Sequence, residues 1–404
     1  MVIGDDIVKS KDYLLIGRLI SCFGDSLYSV AIMWYVFEVT KDSLITGLAS
    51  SILMLPMVFS VFAGPIIDHF NRKYLMLTAQ FAQMILMATI ALLFYFELMP
   101  LSLLIFSFFI IGMLEIFEGN AEHALSPTIM NEKELVRFNS IVVTGNLLIS
   151  SIAKVVCVFI ILSAGIESIY IINFITFLFA VLLFFKVKYK HEAQGAFSPK
   201  KYKKSIVEGI NYFKRFGLIW LAFPAMIANF TGAMSQAILP AFTYEIGGDH
   251  AYGYFLTSSV IFGAIASLLT PKLKNIDINL KIIIAPLLSG LFIFLSAHFD
   301  YYYLSIIMYG LCALPLVIMN ISTSTYIQTH VDNQILSRVG TIINAICTVV
   351  MPVGAILGGW LGKATSPEVP LYITALGFFI LGFIFMIRIS RGKDVIAIPK
   401  DAQY

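Results

Sequence analysis

Four carboxylic acids lie inside stretches of sequence that otherwise carry almost no charge. Asp25 stands near the middle of one long apolar run, and Glu115, Glu118 and Glu122 stand toward the end of another. The i, i+3, i+7 spacing of the glutamates places them on one face of a helix. An ionised side chain at the centre of a bilayer costs at least about 2.5–3.5 kcal/mol, which makes these acids functional candidates. Carboxylates withdrawn from water and close together hold protons more readily, so they could carry protons and attract a cation.

Some of these positions also have a structural interpretation. Asp25 could cap neighbouring helices through Ser21 or Ser26 instead of carrying a proton. Glu122 lies nearer the end of its run, so solvation and a role in proton coupling both stay open for it. His123 is favoured as an interfacial histidine over a proton relay.

The basic residue expected to neutralise the acids is Lys154, which lies too deep in its apolar run to reach the membrane surface easily. An unpaired ammonium there would be costly, so we expect a buried ion pair between Lys154 and Glu115 or Glu118. That pair could serve coupling or merely hold helices together. Arg18 lies about one turn inside the first run, where snorkelling explains it as well as contact with a substrate does.

The elements that must position these residues are apolar runs long enough to cross a bilayer. Hydrophobic residues make up 59% of the chain and charged residues 13%, against about 25% charged in an ordinary globular protein. Runs of about 20 apolar residues span a membrane as helices. The sequence therefore predicts an all-α membrane protein with twelve transmembrane helices, at residues 13–37, 44–67, 74–96, 100–121, 138–164, 168–187, 217–244, 251–270, 280–298, 301–326, 340–362 and 369–389.

The chain is expected to divide into two six-helix halves. The predicted boundaries are 1–187 for the first half, 188–215 for a polar cytoplasmic loop and 216–404 for the second half. The halves echo each other, because Gly47 and Pro65 match Gly253 and Pro271 at a constant offset. Paired repeats of this kind are typical of secondary transporters, which rock about a site near the midplane.

The basic residues predict the orientation in the membrane. With both termini in the cytoplasm, all of the 27 lysines and arginines except Lys41, Lys154 and Lys363 fall on the cytoplasmic side. That distribution is a strong positive-inside signal. The lysine cluster at residues 200–204 is favoured as a topology anchor near anionic lipid over a partner site. No nucleic acid is expected as a partner.

Residues 64 to 73 form a short charged turn between two apolar runs and read Gly-Pro-Ile-Ile-Asp-His-Phe-Asn-Arg-Lys. The pattern Gly64-x-x-x-Asp68-x-x-x-Arg72-Lys73 resembles the loop signature of the major facilitator superfamily. The resemblance implies a gating role for these residues, with Asp68 near the start of the eleventh helix at Arg338. Asn71 replaces a glycine of the signature, and we expect it to tolerate a left-handed backbone there.

The resemblance covers nearly the whole chain. Within the superfamily, the chain most resembles drug and siderophore exporters of the macrolide-efflux and enterobactin-exporter type. It implies that helices 1, 4, 7 and 10 line a central cavity into which Asp25, Glu115 and Glu118 face. Lys154 stands where such exporters often have a Gly-Pro pair. The segments that carry the resemblance are Leu19–Ser26, Glu132–Ser140, Glu208–Ile210, Leu336–Val339 and Met351–Gly354.

The seventh and tenth runs contain no charge near their middle but several polar and aromatic side chains. Together with Arg18, the residues Asn229, Gln236, Tyr309 and Asn320 are candidates for a wall that contacts substrate. The alternative is that small polar residues there let helices pack closely. An acidic face opposite a hydrogen-bonding face suits a small amphiphilic organic molecule.

The residues favour a transporter over an enzyme. The sequence has no Walker loop, no zinc-spaced His/Glu set and no nucleophile elbow. Its four cysteines lie inside apolar runs without metal-ligand spacing, so no metal and no cofactor other than a proton gradient is expected. The predicted function is proton-coupled antiport of a small amphiphilic molecule out of the cell, of the drug-efflux type, by a monomer in the cytoplasmic membrane. Dedicated export of a siderophore, metallophore or lipid is the alternative, and a receptor without transport activity is less favoured.

Overall fold

A computed structural model describes residues 2–189, 219–248, 250–330 and 346–391. Within these ranges the chain forms twelve α-helices and no strand, which confirms the predicted all-α architecture. Ten of the described helices are long and apolar enough to cross a membrane. The helices are α1 (Val2–Thr40), α2 (Ser43–His69), α3 (Arg72–Tyr95), α4 (Leu101–Ile129), α5 (Glu132–Ala164), α6 (Glu167–Lys186), α7 (Ile219–Gly247), α8 (Ala251–Leu269), α9 (Ile278–His298), α10 (Tyr302–His330), α11 (Met351–Ala364) and α12 (Glu368–Ser390).

Side-chain caps determine where several helices begin. The amide oxygen of Asn71 accepts hydrogen bonds from the backbone N–H groups of Lys73 and Tyr74, at 3.1 and 3.3 Å. Its φ is −63°, so the expectation of a left-handed backbone at Asn71 is wrong. The residue replaces the glycine as an N-cap, a role for which asparagine is among the best residues. Asn131 and Glu134 form a reciprocal capping box at the start of α5.

Helix α4 is longer than the apolar run that predicts it. The run ends at residue 121, whereas the helix continues to Ile129. The polar residues of the extra turns have partners: the Ser126 hydroxyl donates to the backbone oxygen of Glu122 at 2.8 Å, and Glu122 itself is paired. Because these residues are polar, a prediction from hydropathy ends the span at residue 121, before the helix itself ends.

The chain packs as two units. The first comprises Met1–Tyr35 and Leu55–Ser198, and the second comprises Val36–Met54 and Pro199–Tyr404. In the first unit α3 packs against α4 and α6. Its core includes the fully buried side chains of Leu14, Met76, Leu125 and Phe184. Helix α1 approaches α6 closely, because a Cβ on Gly24 would lie 2.0 Å from Oδ1 of Asn173.

The second unit is held together by close contacts between helices. Helix α9 packs against α10 and α12, and α7 packs against α11 and α12. Three glycines of α11, spaced by four residues, form the face toward α7. A Cβ on Gly354 would lie 2.2 Å from the Phe230 backbone oxygen, and one on Gly358 would lie 2.6 Å from Cα of Met234. Only glycine permits helix backbones to approach this closely.

Candidate functional site

The acids of the first unit face a polar stripe on α1. Arg18, Ser21, Asp25 and Tyr28 are separated by three, four and three residues, so they share one face of that helix. Across from them, α4 presents its glutamates at i, i+3 and i+7. The two stripes meet, since α1 and α4 make ion pairs and hydrogen bonds along this whole length.

Arg18 is the counter-ion of the two acids that are buried most completely among the described residues. Its Nη1 lies 3.6 Å from Oε1 of Glu118, and its Nε lies 3.4 Å from Oε2 of Glu122. The residues Glu118 and Glu122 are only 1% and 3% exposed. A guanidinium can pair with two carboxylates through its fork of N–H donors, which an ammonium does less well. Arg18 therefore occupies the place that the sequence analysis gave to Lys154.

The prediction that Lys154 forms an ion pair with Glu115 or Glu118 is wrong. Lys154 is half-buried on α5, and within the described part of the chain it forms no ion pair with Glu115 or Glu118. Depth along a helix does not determine which face of that helix a side chain occupies. Arg18 reaches Glu118 and Glu122 from the polar face of α1, whereas Lys154 lies on α5 and forms no ion pair with them in the described residues.

Two glutamines of α3 complete the surroundings of Glu118. When each amide is oriented to satisfy both of its ends, the nitrogen of Gln80 lies 2.7 and 2.8 Å from the two carboxylate oxygens. The nitrogen of Gln83 lies 3.2 Å from Oε2 of the same carboxylate. Both glutamines are 0% exposed. Buried amides are costly unless they are hydrogen-bonded, so these contacts account for their presence in a membrane helix.

Asp25 and Glu115 form a second group of acids beside the first. Asp25 lies one turn before Tyr28 on the same face of α1. The Tyr28 hydroxyl donates to Oε1 of Glu115. The Ser21 hydroxyl lies 3.5 Å from Oδ2 of Asp25, and Oδ1 of Asp25 is buried without a hydrogen-bond partner in the described residues. Ser26 donates to the backbone oxygen of Cys22, so it does not supply the cap considered for Asp25.

The structure places Glu122 and His123, two neighbouring residues of α4, in different environments. Glu122, left open between solvation and coupling, is buried and paired with Arg18. His123 is exposed on the same helix.

The polar residues expected to form a substrate wall in the second unit do not form one cluster of contacts. The Asn229 side chain donates to the backbone oxygen of Cys347 at 3.2 Å, which links α7 to the segment before α11. The ring of Tyr309 packs on Phe255 with centroids 5.4 Å apart. Gln236 and Asn320 are exposed. A role of these residues in substrate binding stays a prediction.

The loop signature is described only in part. Arg72 donates from Nη1 to the backbone oxygen of Ala124 at 2.7 Å, and Lys73 donates to the backbone oxygen of Phe185 at 2.9 Å. Both contacts tie the start of α3 to other helices of the first unit. Gly64 and Asp68 belong to the last turns of α2, and their side chains lie outside the described residues, as does all of Arg338.

Several residues of the site were not found from the sequence. Gln80, Gln83 and Tyr28 all contact an acid, yet none of them is charged, so a search for buried charge passes over them. The signal was available: two glutamines spaced i, i+3 inside an apolar run share one face, and amides are uncommon in such a position.

Known proteins resemble this chain along most of its length. An uncharacterized MFS-type transporter of Bacillus subtilis, YvqJ, is 20% identical over 374 residues, which are 90% of this chain and 89% of that protein. The staphyloferrin A transporter of Staphylococcus aureus is 23% identical over 325 residues, which are 76% of this chain and 74% of that protein.

Solved structures share the fold. A bacterial homologue of the iron transporter ferroportin superposes with a TM-score of 0.71 at 14% identity and covers 94% of this chain and 98% of its own. The nucleoside transporter NupG superposes with a TM-score of 0.65 at 19% identity and covers 94% and 99%. The sequence model of the Major Facilitator Superfamily matches residues 14–354. The chain is a multi-pass membrane transporter rather than an enzyme, and it belongs to the major facilitator superfamily.

Proposed function

We propose that this transporter is a proton-coupled exporter, an antiporter that moves a small amphiphilic organic molecule out across the cytoplasmic membrane. The observation that carries the proposal is the group of acids on two membrane helices of the first unit. Arg18 pairs with Glu118 and Glu122, and the hydroxyl of Tyr28, one turn from Asp25 on α1, donates to Glu115. Acids that lie close together in an apolar environment hold a proton more readily, because ionised neighbours repel each other. Such a group is suited to taking up and releasing a proton in each transport cycle.

The charge of the surroundings favours a cationic substrate. Four carboxyl groups, those of Asp25, Glu115, Glu118 and Glu122, face a single guanidinium. A site with this excess of acids attracts cations and releases them when it gains protons. Exchange of a substrate cation for a proton then needs no further charged residue. The positive-inside distribution of lysine and arginine supports an orientation with both termini in the cytoplasm.

Everted membrane vesicles test the coupling, with the fluorescent cation ethidium as the probe. Vesicles that contain the wild-type protein are expected to accumulate ethidium when respiration acidifies their interior. A protonophore is expected to abolish that accumulation. Vesicles from cells without the protein are the matched control. Ethidium uptake that depends on the protein and continues undiminished with the protonophore would contradict proton coupling.

A second candidate function is the dedicated export of a siderophore, metallophore or lipid. The similarity to a protein named as a staphyloferrin A transporter favours it over a general drug exporter. A strain that lacks the gene separates the two candidates. Increased sensitivity to cationic drugs favours drug efflux, whereas retention of a normally secreted metabolite inside the cell favours the dedicated exporter.

A further inference from the structure

Helix α5 carries two stripes of side chains that differ in chemistry. The first stripe is apolar and consists of Ile141, Leu148, Ile152 and Phe159, which are separated by seven, four and seven residues and therefore share one face. These side chains are 37% to 68% exposed. Large apolar side chains that are exposed on a membrane helix suit contact with lipid tails, so this stripe is the lipid-facing side of α5.

The second stripe of α5 is polar. Asn139, Asn146, Ser150 and Lys154 are separated by seven, four and four residues, and at about 100° per residue they lie on the side opposite the apolar stripe. Asn139 is exposed and the other three are half-buried. Polar and charged residues within a membrane span face the protein or a water-filled space rather than lipid. This stripe is therefore a hydrated path that begins near the start of α5 and ends at Lys154.

Lys154 has no partner of its own on this path. Among the residues that the structure describes, its ammonium makes neither an ion pair nor a hydrogen bond. An ammonium has three donors and no acceptor, so its natural partner is an anion. Oδ1 of Asn146, on the same stripe, is also without a hydrogen-bond partner in the described chain. The stripe thus has charge and hydrogen-bonding capacity that the protein itself does not use.

Contacts with α1 give the depth of Lys154. A Cβ on Gly145 would lie 2.6 Å from Cδ2 of Leu19, and the Cys157 thiol donates to the backbone oxygen of Leu27 at 3.3 Å. Helices α1 and α5 therefore run side by side in the same direction. Lys154 lies one turn before Cys157, so it is level with the stretch of α1 that contacts the acids of α4.

We propose that Lys154 binds a carboxylate group of the transported molecule, which reaches it along the polar stripe of α5. This inference rests on the proposed transport function and narrows its substrate class. The excess of acids attracts a cationic group and the ammonium of Lys154 attracts an anionic one, so the substrate is a zwitterionic amphiphile. Because Lys154 is half-buried, its ammonium keeps some of its water in the empty protein and exchanges it for a charge-assisted hydrogen bond to the carboxylate.

Two fluorescent dyes that differ by one charge test the inference. Rhodamine 110 and its methyl ester, rhodamine 123, share a cationic ring system, and only rhodamine 110 has a free carboxylate. Fluorescence polarisation measures their binding to the purified protein in nanodiscs of zwitterionic lipid, without a proton gradient. The wild-type protein is expected to bind rhodamine 110 about tenfold more tightly than the ester. A wild-type protein that binds the two dyes equally, or binds neither, would overturn the inference.

Variants of Lys154 show whether its ammonium is the source of the preference. Lys154→Met is expected to bind the two dyes equally while it keeps the wild-type affinity for rhodamine 123, which reports that the site is folded. Lys154→Arg keeps a cation and should keep most of the preference. Lys363→Met is the control for loss of a lysine elsewhere, and it should keep the wild-type ratio.

A wild-type ratio of affinities in Lys154→Met would show that another group binds the carboxylate, and it would overturn the inference. Lys154→Gln keeps a polar side chain and provides the same ratio if Lys154→Met does not fold. Failure here is distinct from failure of the proposed function. Proton-dependent ethidium transport with equal binding of the two dyes overturns only the inference. A preference for rhodamine 110 that depends on Lys154, with ethidium transport that ignores the proton gradient, overturns only the proton coupling.

Discussion

The two units of this transporter use their polar residues in different ways. The first unit buries charge: Glu118 and Glu122 are the charged side chains that the described chain buries almost completely, and both belong to it. The second unit buries backbone: Gly47 of α2 and Gly359 of α11 are so close that a Cβ on Gly47 would lie 2.8 Å from Cα of Gly359. Its ion pairs among the described residues are more exposed: Lys363 donates to Asp42, and Lys41 pairs with Glu38.

The difference shows that one fold can stabilise two units by different forces. In the first unit, each buried charge needs a complete set of partners, because an unpaired charge in an apolar environment costs several kcal/mol. In the second unit, close packing of glycine-rich helix faces supplies the contact, as is common in membrane helices. Substitutions that remove a charge should therefore be most harmful in the first unit, and added side-chain volume should be most harmful at the glycines of the second.

The largest effect is expected for Arg18→Met. This change leaves Glu118 and Glu122 buried without their counter-ion, so we expect a loss of about 3–5 kcal/mol in stability at neutral pH. The loss should diminish as the pH falls, because protonated acids need no counter-ion. Thermal unfolding of the purified protein over a pH series measures both effects.

Lys154→Met is the matched control for that experiment. It replaces another half-buried cation by the same apolar residue, but one without an ion pair to these acids in the described chain. We expect a change within about 0.5 kcal/mol. Equal destabilisation by Lys154→Met and Arg18→Met would contradict the assignment of Arg18 as the counter-ion.

A smaller effect is expected for Gly359→Ala in the second unit. The new Cβ would lie 2.5 Å from the backbone oxygen of Ser43 and 2.8 Å from Cα of Gly47, and backbone atoms cannot move aside cheaply. Overpacking of this kind costs about 1–3 kcal/mol. Gly232→Ala on α7 is the control, because a Cβ there would meet nothing within 4 Å. Equal melting temperatures for the two alanine variants would show that the α2–α11 contact is looser than described.

The smallest effect is expected for the ion pair between Asp42 and Lys363 in the second unit. The side chains of Asp42 and Lys363 are 21% and 53% exposed, and exposed pairs contribute about 0–1 kcal/mol. The hydrogen bond from Lys363 lowers the pKa of Asp42 below its usual value of 3.8. A lowered folded-state pKa means that the stabilisation is present above the unfolded pKa and is lost as the pH falls through the folded value.

The Asp42→Asn variant keeps the cap of α2, because the side-chain oxygen can still accept from the backbone N–H of Leu44. We therefore expect it to be slightly less stable than wild type at neutral pH and to approach wild type as the pH falls through the lowered folded-state pKa of Asp42. Lys363→Met should show the same dependence. A pH-independent loss in Asp42→Asn would mean that the ion pair with Lys363 is not its cause.

The sequence predicts the helices that carry the site better than it predicts which side chains contact each other. Twelve helices follow from apolar runs, and the shared face of Glu115, Glu118 and Glu122 follows from helical spacing. The partner of these acids does not follow from depth in the membrane, which favoured Lys154. The stripe of Arg18, Ser21, Asp25 and Tyr28 on α1 contained the better signal, because residues on one face meet the same neighbour.

Other features lie beyond what a single sequence can give. The role of Gln80 and Gln83 depends on which face of α3 is turned to α4, and packing between helices decides that. Asn71 shows a different limit, since asparagine suits both a left-handed turn and an N-cap, and the hydrogen bonds to Lys73 and Tyr74 select the cap.

Simultaneous measurement of ethidium and proton movement in liposomes tests the central claim, that Asp25 and Glu115 couple transport to protons. In liposomes that contain the wild-type protein, protons are predicted to cross the membrane in the direction opposite to ethidium. Asp25→Asn is predicted to retain exchange of ethidium between the two sides while proton movement ceases, and Gly119→Ala, where a Cβ meets nothing within 4 Å, should behave as wild type. Ethidium movement by the wild-type protein without any accompanying proton movement would contradict the account.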